Sequence, residues 1–388
     1  MVPAATILPG LWQMKKIGVG LVGSGFMGRS HSHAFRAAAG VFELPAVPVL
    51  ELLADIDDTV AAKAAKGLGF ARSTGDWRQL VADPAVDLVD ITTPNTLHKP
   101  IALAALAAGK PVYCEKPLAP NAAEAKEMVD AAEKAGVRTA VGFNYLKNPM
   151  VALAREIVAA GEIGEVVSFR GIHAEDYMTD PSSPFTWRLD EKGGHGVVAD
   201  LGSHIISIAR YVVGPIVSLV GQIKTVTGER PTAPGAKTTR KVLVDDEARA
   251  LVTFANGATG SLEASWVKAG RKMQLAFEVT GSKGSIFVDH ERFNELDLYV
   301  TGQKSDREGF KKILAGPAHR HFREFVPAPG HQLGFNDIKT IEVRALIEAL
   351  AGGPAFAPDF REAWEIQRVV DGIVRSAKER RWLDVNEL

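Results

Sequence analysis

"KKIGVGLVGSGFMGRSHSHAFR", Lys15 to Arg36, decides the fold. Its opening, Lys15–Gly23, carries the β-branched and small apolar residues of a strand. It runs into Gly23-Ser24-Gly25-Phe26-Met27-Gly28, a G-x-G-x-x-G that opens an alanine-rich helical segment. Strand, glycine turn and helix form the setting in which this pattern means dinucleotide binding. Gly23 permits the tight turn, Gly25 lets the backbone approach a pyrophosphate, and Gly28 packs helix against strand. The helix N-terminus, with Phe26 and Met27, supplies amide donors.

Outward from that stretch, "VPVLELLAD" (Val47–Asp55), "VDLVDITTP" (Val86–Pro94), "KPVYCE" (Lys110–Glu115) and "RTAVGFN" (Arg138–Asn144) predict strands. "LHKPIALAALAAG" (Leu97–Gly109) and "AAEAKEMVDAAEKAG" (Ala122–Gly136) predict the helices between them. The alternation implies βαβ units and a parallel sheet covered by helices on both faces. Ligands of such a sheet bind beyond the carboxyl ends of its strands. Thr92, Thr93, Pro94, Asn95 and His98 therefore border the cofactor, as do Glu115 and Lys116. Pro117 forces an extended backbone on Lys116 and is compatible with a cis bond. Asp55 ends the second strand 27 residues after Gly28, and the segment Gly40–Pro48 accounts for the excess over the usual ~20. Its carboxylate suits two ribose hydroxyls and repels a 2′-phosphate, and residues 56–58 hold no cation. NAD is expected over NADP.

Past Asn148 the rhythm changes. One helix (Val151–Gly161) precedes an extended run, Glu165–Tyr177, and strand candidates at Ile216–Val226, Lys241–Phe254, Ala258–Val267, Gln274–Thr280, Gly284–Val288 and Glu295–Val300. Antiparallel pairing of these gives a large open sheet. Gly257 and Gly281 mark hairpin turns, and Gly228–Thr239 is the best candidate for a mobile loop. A last helix places Ile366, Val370, Ile373 and Ala377 on one face. The expected fold is α/β, a dinucleotide-binding domain over 15–145 and an α/β domain over 146–388 built on a mostly antiparallel sheet. In the second domain, "GGHGVVADLGSHIISIAR" (Gly193–Arg210) sets Asp200 and His204 four apart, where a carboxylate can fix an imidazole's tautomer and raise its basicity.

The chain has 388 residues, 23% of them charged, with net charge -1, so no basic field attracts nucleic acid. Its single cysteine, Cys114, excludes an internal disulfide and fits a reducing cytoplasm. No apolar run reaches the ~18 residues of a membrane span. "MVPAATILPGLWQ" is a poor signal peptide, and Met14 is a second candidate start. His31 and His33, like His319 and His321, stand two apart with no ligand cluster beside them. They predict no metal site, and the first pair reads as packing or surface residues.

"GLVGSGFMGRSHSHAFR", "TTPNTLH", "CEKPLA", "VGFNY" and "GG(x)GVVADLGSHIISIAR" occur in an order and spacing that resembles the glucose–fructose oxidoreductase / inositol dehydrogenase (Gfo/Idh/MocA) family, as does the ending "VVDGIVRSAKERRWLDV". The resemblance covers the chain from Lys15 onward. It implies a Rossmann domain, a second domain whose open sheet is the interface of a homodimer or homotetramer, and NAD(P)-linked oxidation of a sugar or polyol hydroxyl. It also implies that Lys116, Asp200 and His204 are the catalytic trio. By the same resemblance Asn144, Tyr145 and Lys147, the last where many relatives carry arginine, lie at the substrate. "TWRLDEKGGHG", with Trp187 and Arg188, resembles versions in sugar dehydrogenases acting on anhydro-sugars such as levoglucosan. An inositol or glucoside dehydrogenase is the alternative within enzymes, and a non-catalytic NAD-binding regulator the alternative outside them.

Overall fold

The computed structural model describes residues 15–326 and 328–388. The readings of "MVPAATILPGLWQ" and of Met14 as a start fall outside them. Strands β1 (Lys15–Val22), β2 (Ala46–Ala54), β3 (Arg72–Thr74), β4 (Leu88–Ile91), β5 (Val112–Cys114) and β6 (Thr139–Val141) join in the order β3-β2-β1-β4-β5-β6. Every pairing is parallel. The crossovers hold α1 (Phe26–Val41), α2 (Asp58–Leu68), α3 (Trp77–Ala82), α4 (His98–Ala107) and α5 (Ala122–Ala135). Val19, Leu53, Leu88, Val89 and Val112 are fully buried, as strands covered on both faces require. Local chemistry sets the helix ends. Asn121 caps α5 by accepting from the Glu124 amide at 2.9 Å, and Gly136 ends it in the left-handed region. The strand order turns back at β1 and β4, so their carboxyl ends open a crevice at the switch point.

After α6 (Pro149–Ala159) comes β7 (Val166–Ala174), and then α7 (Ser203–Val212) and β8 (Ile216–Lys224). Strands β9 (Glu229–Pro231) and β10 (Thr239–Lys241) form a separate hairpin. They are followed by β11 (Glu247–Phe254), β12 (Thr259–Ser265), β13 (Gln274–Gly281), β14 (Gly284–Asp289), β15 (Glu295–Val300) and β16 (Lys311–Leu314). Helices α8 (Phe322–Phe325), α9 (Phe335–Leu350) and α10 (Phe360–Glu379) and strand β17 (Leu383–Asp384) close the chain. The second sheet runs β16-β15-β14-β13-β7-β12-β11-β8-β17. It is antiparallel except where β7 meets β12 in parallel. Helices α7 and α10 cover one face. On α10, Ile366, Val370 and Ile373 are buried while Ala377 lies at the margin.

Three features depart from expectation. The segment Gly228–Thr239 is no free loop: it supplies β9 and part of β10. The fully buried Arg230 ties it down by donating to the carbonyls of Met178 and Asp180, both at 2.7 Å. The run 241–254 is not one strand, because Asp245 and Asp246 interrupt it with buried carboxylates. Asp245 accepts the amides of Gly196 and Val198, and Asp246 takes the Trp266 indole N–H at 2.6 Å. Helix α9 lies in the second part of the chain but packs on α1 of the first, with Phe335 against Phe26 and Asn336 on Ser30.

Candidate active site

A cleft of about 1460 Å³ runs along the carboxyl ends of the first sheet to the near end of the second. At one end lies the glycine turn. Gly23 has φ 98°, and a Cβ on Gly28 would stand 2.1 Å from the Gly23 carbonyl, so helix and strand meet there at a distance only glycine allows. Gly25 has open space where a side chain would be, and α1 begins with no side-chain cap. Its first amides thus face the cleft beside Phe26 and Met27. Asp55 closes this end. Its Oδ2 accepts from the Ser24 amide at 2.8 Å and the Ser24 hydroxyl at 2.5 Å, and its Oδ1 from the Ile56 amide at 2.7 Å. Capping of α2 falls to Asp57 instead. The cleft also admits Arg78, whose guanidinium lies 4.4 Å over the Trp77 ring. This cation is invisible in residues 56–58 because it arrives from β3's far side.

Thr92 turns its hydroxyl onto the Gly23 carbonyl at 2.7 Å. Among the described residues nothing partners the buried hydroxyl of Thr93. Pro94 and Asn95 border the cleft, and Asn95 Nδ2 donates to the Gly193 carbonyl at 3.0 Å, joining the two halves. A free amide row, an acid at the β2 end and an orphan hydroxyl fit a dinucleotide lying across this switch point.

At the other end, Lys116 projects from beyond β5, and its bond to Pro117 is cis. Its ammonium donates to Asp200 Oδ1 at 2.9 Å and to the Asp200 carbonyl at 2.7 Å. Two of three N–H bonds are thereby used, leaving one for a ligand. Asp200 Oδ2 accepts from Tyr177 Oη at 2.7 Å and Arg188 Nε at 3.2 Å. Burial alone would raise this carboxyl's pKa, but Lys116 and Arg188 outweigh it and hold it well below the usual carboxylate range. Arg188 in turn lies 4.4 Å over the half-exposed Trp187 ring. Asp200 sits in a one-turn π-helix, Val198–Gly202, which flows into α7 and brings His204 to the same cleft.

The Asp200–His204 pair expected from the spacing does not form. Asp200 faces Lys116, Tyr177 and Arg188, because the wider π turn rotates it away from the position an α-helix would give. Among the described residues nothing hydrogen-bonds the His204 ring, whose Nδ1 is a buried orphan. Its neighbours are Tyr145 at 4.7 Å, His173 at 5.5 Å and Phe143 at 5.9 Å between ring centroids. Burial first, and then Lys116, push its pKa well below the ordinary value, so the ring is neutral at neutral pH. Asn144 borders the cleft, and among the described residues nothing partners its Nδ2.

Two further expectations are corrected. Lys147 points away from the cleft: its ammonium donates to the Ala357 carbonyl at 2.8 Å and lies 4.6 Å over the Phe356 ring, so it is no substrate contact. His98 is buried behind the cleft wall, its nitrogens 3.0 Å from the Pro117 carbonyl and 2.9 Å from that of Thr93, which makes it a strut for both loops rather than a cofactor ligand. Sequence reasoning missed Tyr177, Glu175 and His173, which line the cleft from the end of β7. No motif marks them; they become neighbours only once β7 enters the second sheet. His31 is no surface residue either, being fully buried.

A parallel sheet with a glycine turn at its switch point, facing a lysine–aspartate–histidine group, defines an NAD-linked dehydrogenase. Residues 17–143 match the model "Oxidoreductase family, NAD-binding Rossmann fold", and residues 151–287 match the "GFO/IDH/MocA C-terminal domain". A levoglucosan dehydrogenase of Pseudarthrobacter phenanthrenivorans is 39% identical, the match covering 97% of this chain and 100% of that one. A D-apiose dehydrogenase of Paraburkholderia graminis is 26% identical over 97% and 91%. Among solved structures, a levoglucosan dehydrogenase in complex with NADH and levoglucosan superposes with TM-score 0.93 at 40% identity, covering 96% and 100% of the two chains. An NAD-binding oxidoreductase from Klebsiella pneumoniae gives 0.91 at 43%, covering 95% and 99%. The chain belongs to the GFO/IDH/MocA family. It is an NAD-dependent dehydrogenase of the sugar and polyol class.

Proposed function

We propose that the protein oxidises a secondary hydroxyl of a cyclic anhydro-sugar of the levoglucosan type, with Lys116, Asp200 and His204 as its catalytic residues. The observation that carries this reading is the Lys116 ammonium at the cleft wall, held twice by Asp200 with one N–H left over. When bound, the cofactor supplies the hydride acceptor at nicotinamide C4. The substrate hydroxyl lies between Lys116 and the neutral His204 ring. His204 takes the O–H proton, the carbinol C–H leaves as hydride, and the remaining electron pair forms the ketone C=O. Lys116 stabilises the negative charge that develops on oxygen. Asp200 anchors Lys116, and Tyr177 and Arg188 hold Asp200. Tyr145 walls the sugar site beside His204, and Trp187 and Asn144 border it. The similarity to levoglucosan dehydrogenase over nearly the whole of both chains supports the sugar class.

Asp55 selects NAD in this reading. Asp55→Ala removes the ribose acceptor and the repulsion of a 2′-phosphate, and Arg78 stands ready to meet that phosphate. Calorimetry is expected to show weaker NAD binding and a gain in NADP binding. Equal affinity of the wild type for both cofactors contradicts the assignment.

The division at residues 145/146 assigns the cofactor to the first part and the sugar and assembly to the second. The uncovered face of the nine-stranded sheet, with Leu251 at 55% exposure, is the surface through which two or four copies associate in the cytoplasm. No helix among the described residues is long and apolar enough to cross a membrane. Light scattering at micromolar concentration is expected to give a dimer or tetramer, and a monomer rules the interface out.

A further inference from the structure

A second set of charges lies beneath the site, and hydride transfer as described gives it no task. His31 of α1, Asp90 of β4, Tyr113 of β5, Glu115 just beyond it, and Lys339 and Glu342 of α9 are all buried. The His31 ring lies between two carboxylates, Nδ1 at 2.9 Å from Asp90 Oδ1 and Nε2 at 2.8 Å from Glu115 Oε1. Lys339 Nζ donates to Glu115 Oε1 at 3.1 Å, to Glu342 Oε2 at 2.6 Å and to the Tyr113 hydroxyl at 3.1 Å. Tyr113 donates to Glu342 and stacks on His31 with centroids 4.7 Å apart.

Burial works against a charged His31, but Asp90 and Glu115 outweigh it and raise its pKa. Burial likewise disfavours the Glu115 carboxylate, yet Lys339, His31 and Lys116 hold its pKa well below the usual range. The Lys339 ammonium and the His31 Nε2 therefore meet on one oxygen, Oε1. The other, Oε2, accepts the backbone amide of Lys116 at 3.1 Å. Gly142 of the β6 end closes the remaining side, since a Cβ there would stand 2.4 Å from Oε1.

Such a set is a weak source of stability. Each buried ion costs several kcal/mol in desolvation, and apolar residues of similar volume often serve as well. What distinguishes this one is its aim, for the residue it grips by the backbone is the lysine of the site. We propose that Lys339 and His31 are positioning residues for the dehydrogenase reaction. They fix the Glu115 carboxylate, and through the Lys116 amide that carboxylate sets the direction in which the ammonium meets the substrate oxygen. Lys339 comes from α9, so a helix distant in sequence is tied to the catalytic lysine. This inference rests on the hydride-transfer reading of the site.

The test compares wild type with Lys339→Met and with the double variant Lys339→Met/Glu342→Leu. The double variant removes the lysine together with its own counter-ion and so leaves fewer uncompensated charges. With a sugar that the wild type oxidises, kcat is expected to fall on the order of ten- to a hundred-fold in both, as a misdirected catalytic group does. KM and NADH affinity are expected to stay within about three-fold, because uniform binding is untouched. The acidic limb of kcat/KM is expected to move to higher pH. The charged and titratable groups that act on His204 are Lys116, His173 of β7, Lys339 and His290 beyond β14, with Tyr145 packed against the ring, and loss of the Lys339 cation raises the His204 pKa. A folded double variant with wild-type kcat and an unmoved limb overturns the inference alone, as does a lowered Tm with full turnover. A wild type that oxidises no sugar overturns the reading of the site and the inference with it.

Discussion

Lys116→Met is expected to lower turnover about a hundred- to a thousand-fold, equivalent to ~2.7–4 kcal/mol of transition-state stabilisation. The ammonium is preorganised by two bonds to Asp200, and in the proposed mechanism its third N–H meets an oxygen whose charge grows as the hydride departs. Its contribution is therefore larger in the transition state than in the Michaelis complex. NAD affinity should change only a few-fold, since the glycine turn and Asp55 lie at the other end of the cleft. Lys116→Arg should not restore the rate, because a planar fork cannot replace a compact ammonium between the Asp200 carbonyl and carboxylate. A purely structural lysine gives the opposite pattern, lowered Tm with full turnover in the folded fraction. Turnover, NAD affinity and Tm measured on one preparation separate the two.

His204→Ala is expected to cost about a hundred- to ten-thousand-fold in kcat at neutral pH, the usual range for a removed general base. The pH dependence carries the sign of the mechanism. A base must be neutral to accept a proton, so activity is lost as pH falls through the His204 pKa. Burial and the Lys116 cation depress that pKa well below 6.5. The acidic limb of kcat/KM is accordingly expected below pH 6.5. In Lys116→Met, with the cation gone, the limb of the residual activity moves up. A wild-type limb centred above pH 6.5 would take His204 out of the base role.

The glycine turn, the βαβ rhythm, Asp55 and Lys116 were legible because each rests on local chemistry: turn geometry, strand ends and the direction proline imposes. The second sheet was legible as a mostly antiparallel set of strands but not in its strand order, since the parallel β7–β12 contact joins segments far apart in sequence. Spacing misplaced Asp200. Four residues put two side chains on one α-helical face, but the chain takes a π turn there and aims the carboxylate at Lys116. In helix α9 the apolar spacing of Ile338, Ile341 and Leu346 does not reveal a second buried face, which carries Lys339, Thr340 and Glu342. An apolar-periodicity reading assigns such residues to solvent, and only the buried partners His31 and Glu115 reverse it. Lys147 and His98 failed for a related reason: neighbours in a motif share a strand end, yet adjacent side chains need not share a direction.

The most direct test of the account follows NADH absorbance while the purified protein is given NAD and levoglucosan, beside a panel of other anhydro-sugars, glucosides and inositols. NADH is expected to form with an anhydro-sugar, far faster with NAD than with NADP, and to vanish in Lys116→Met. No NADH from any member of the panel, in protein shown by calorimetry to bind NAD, would contradict it.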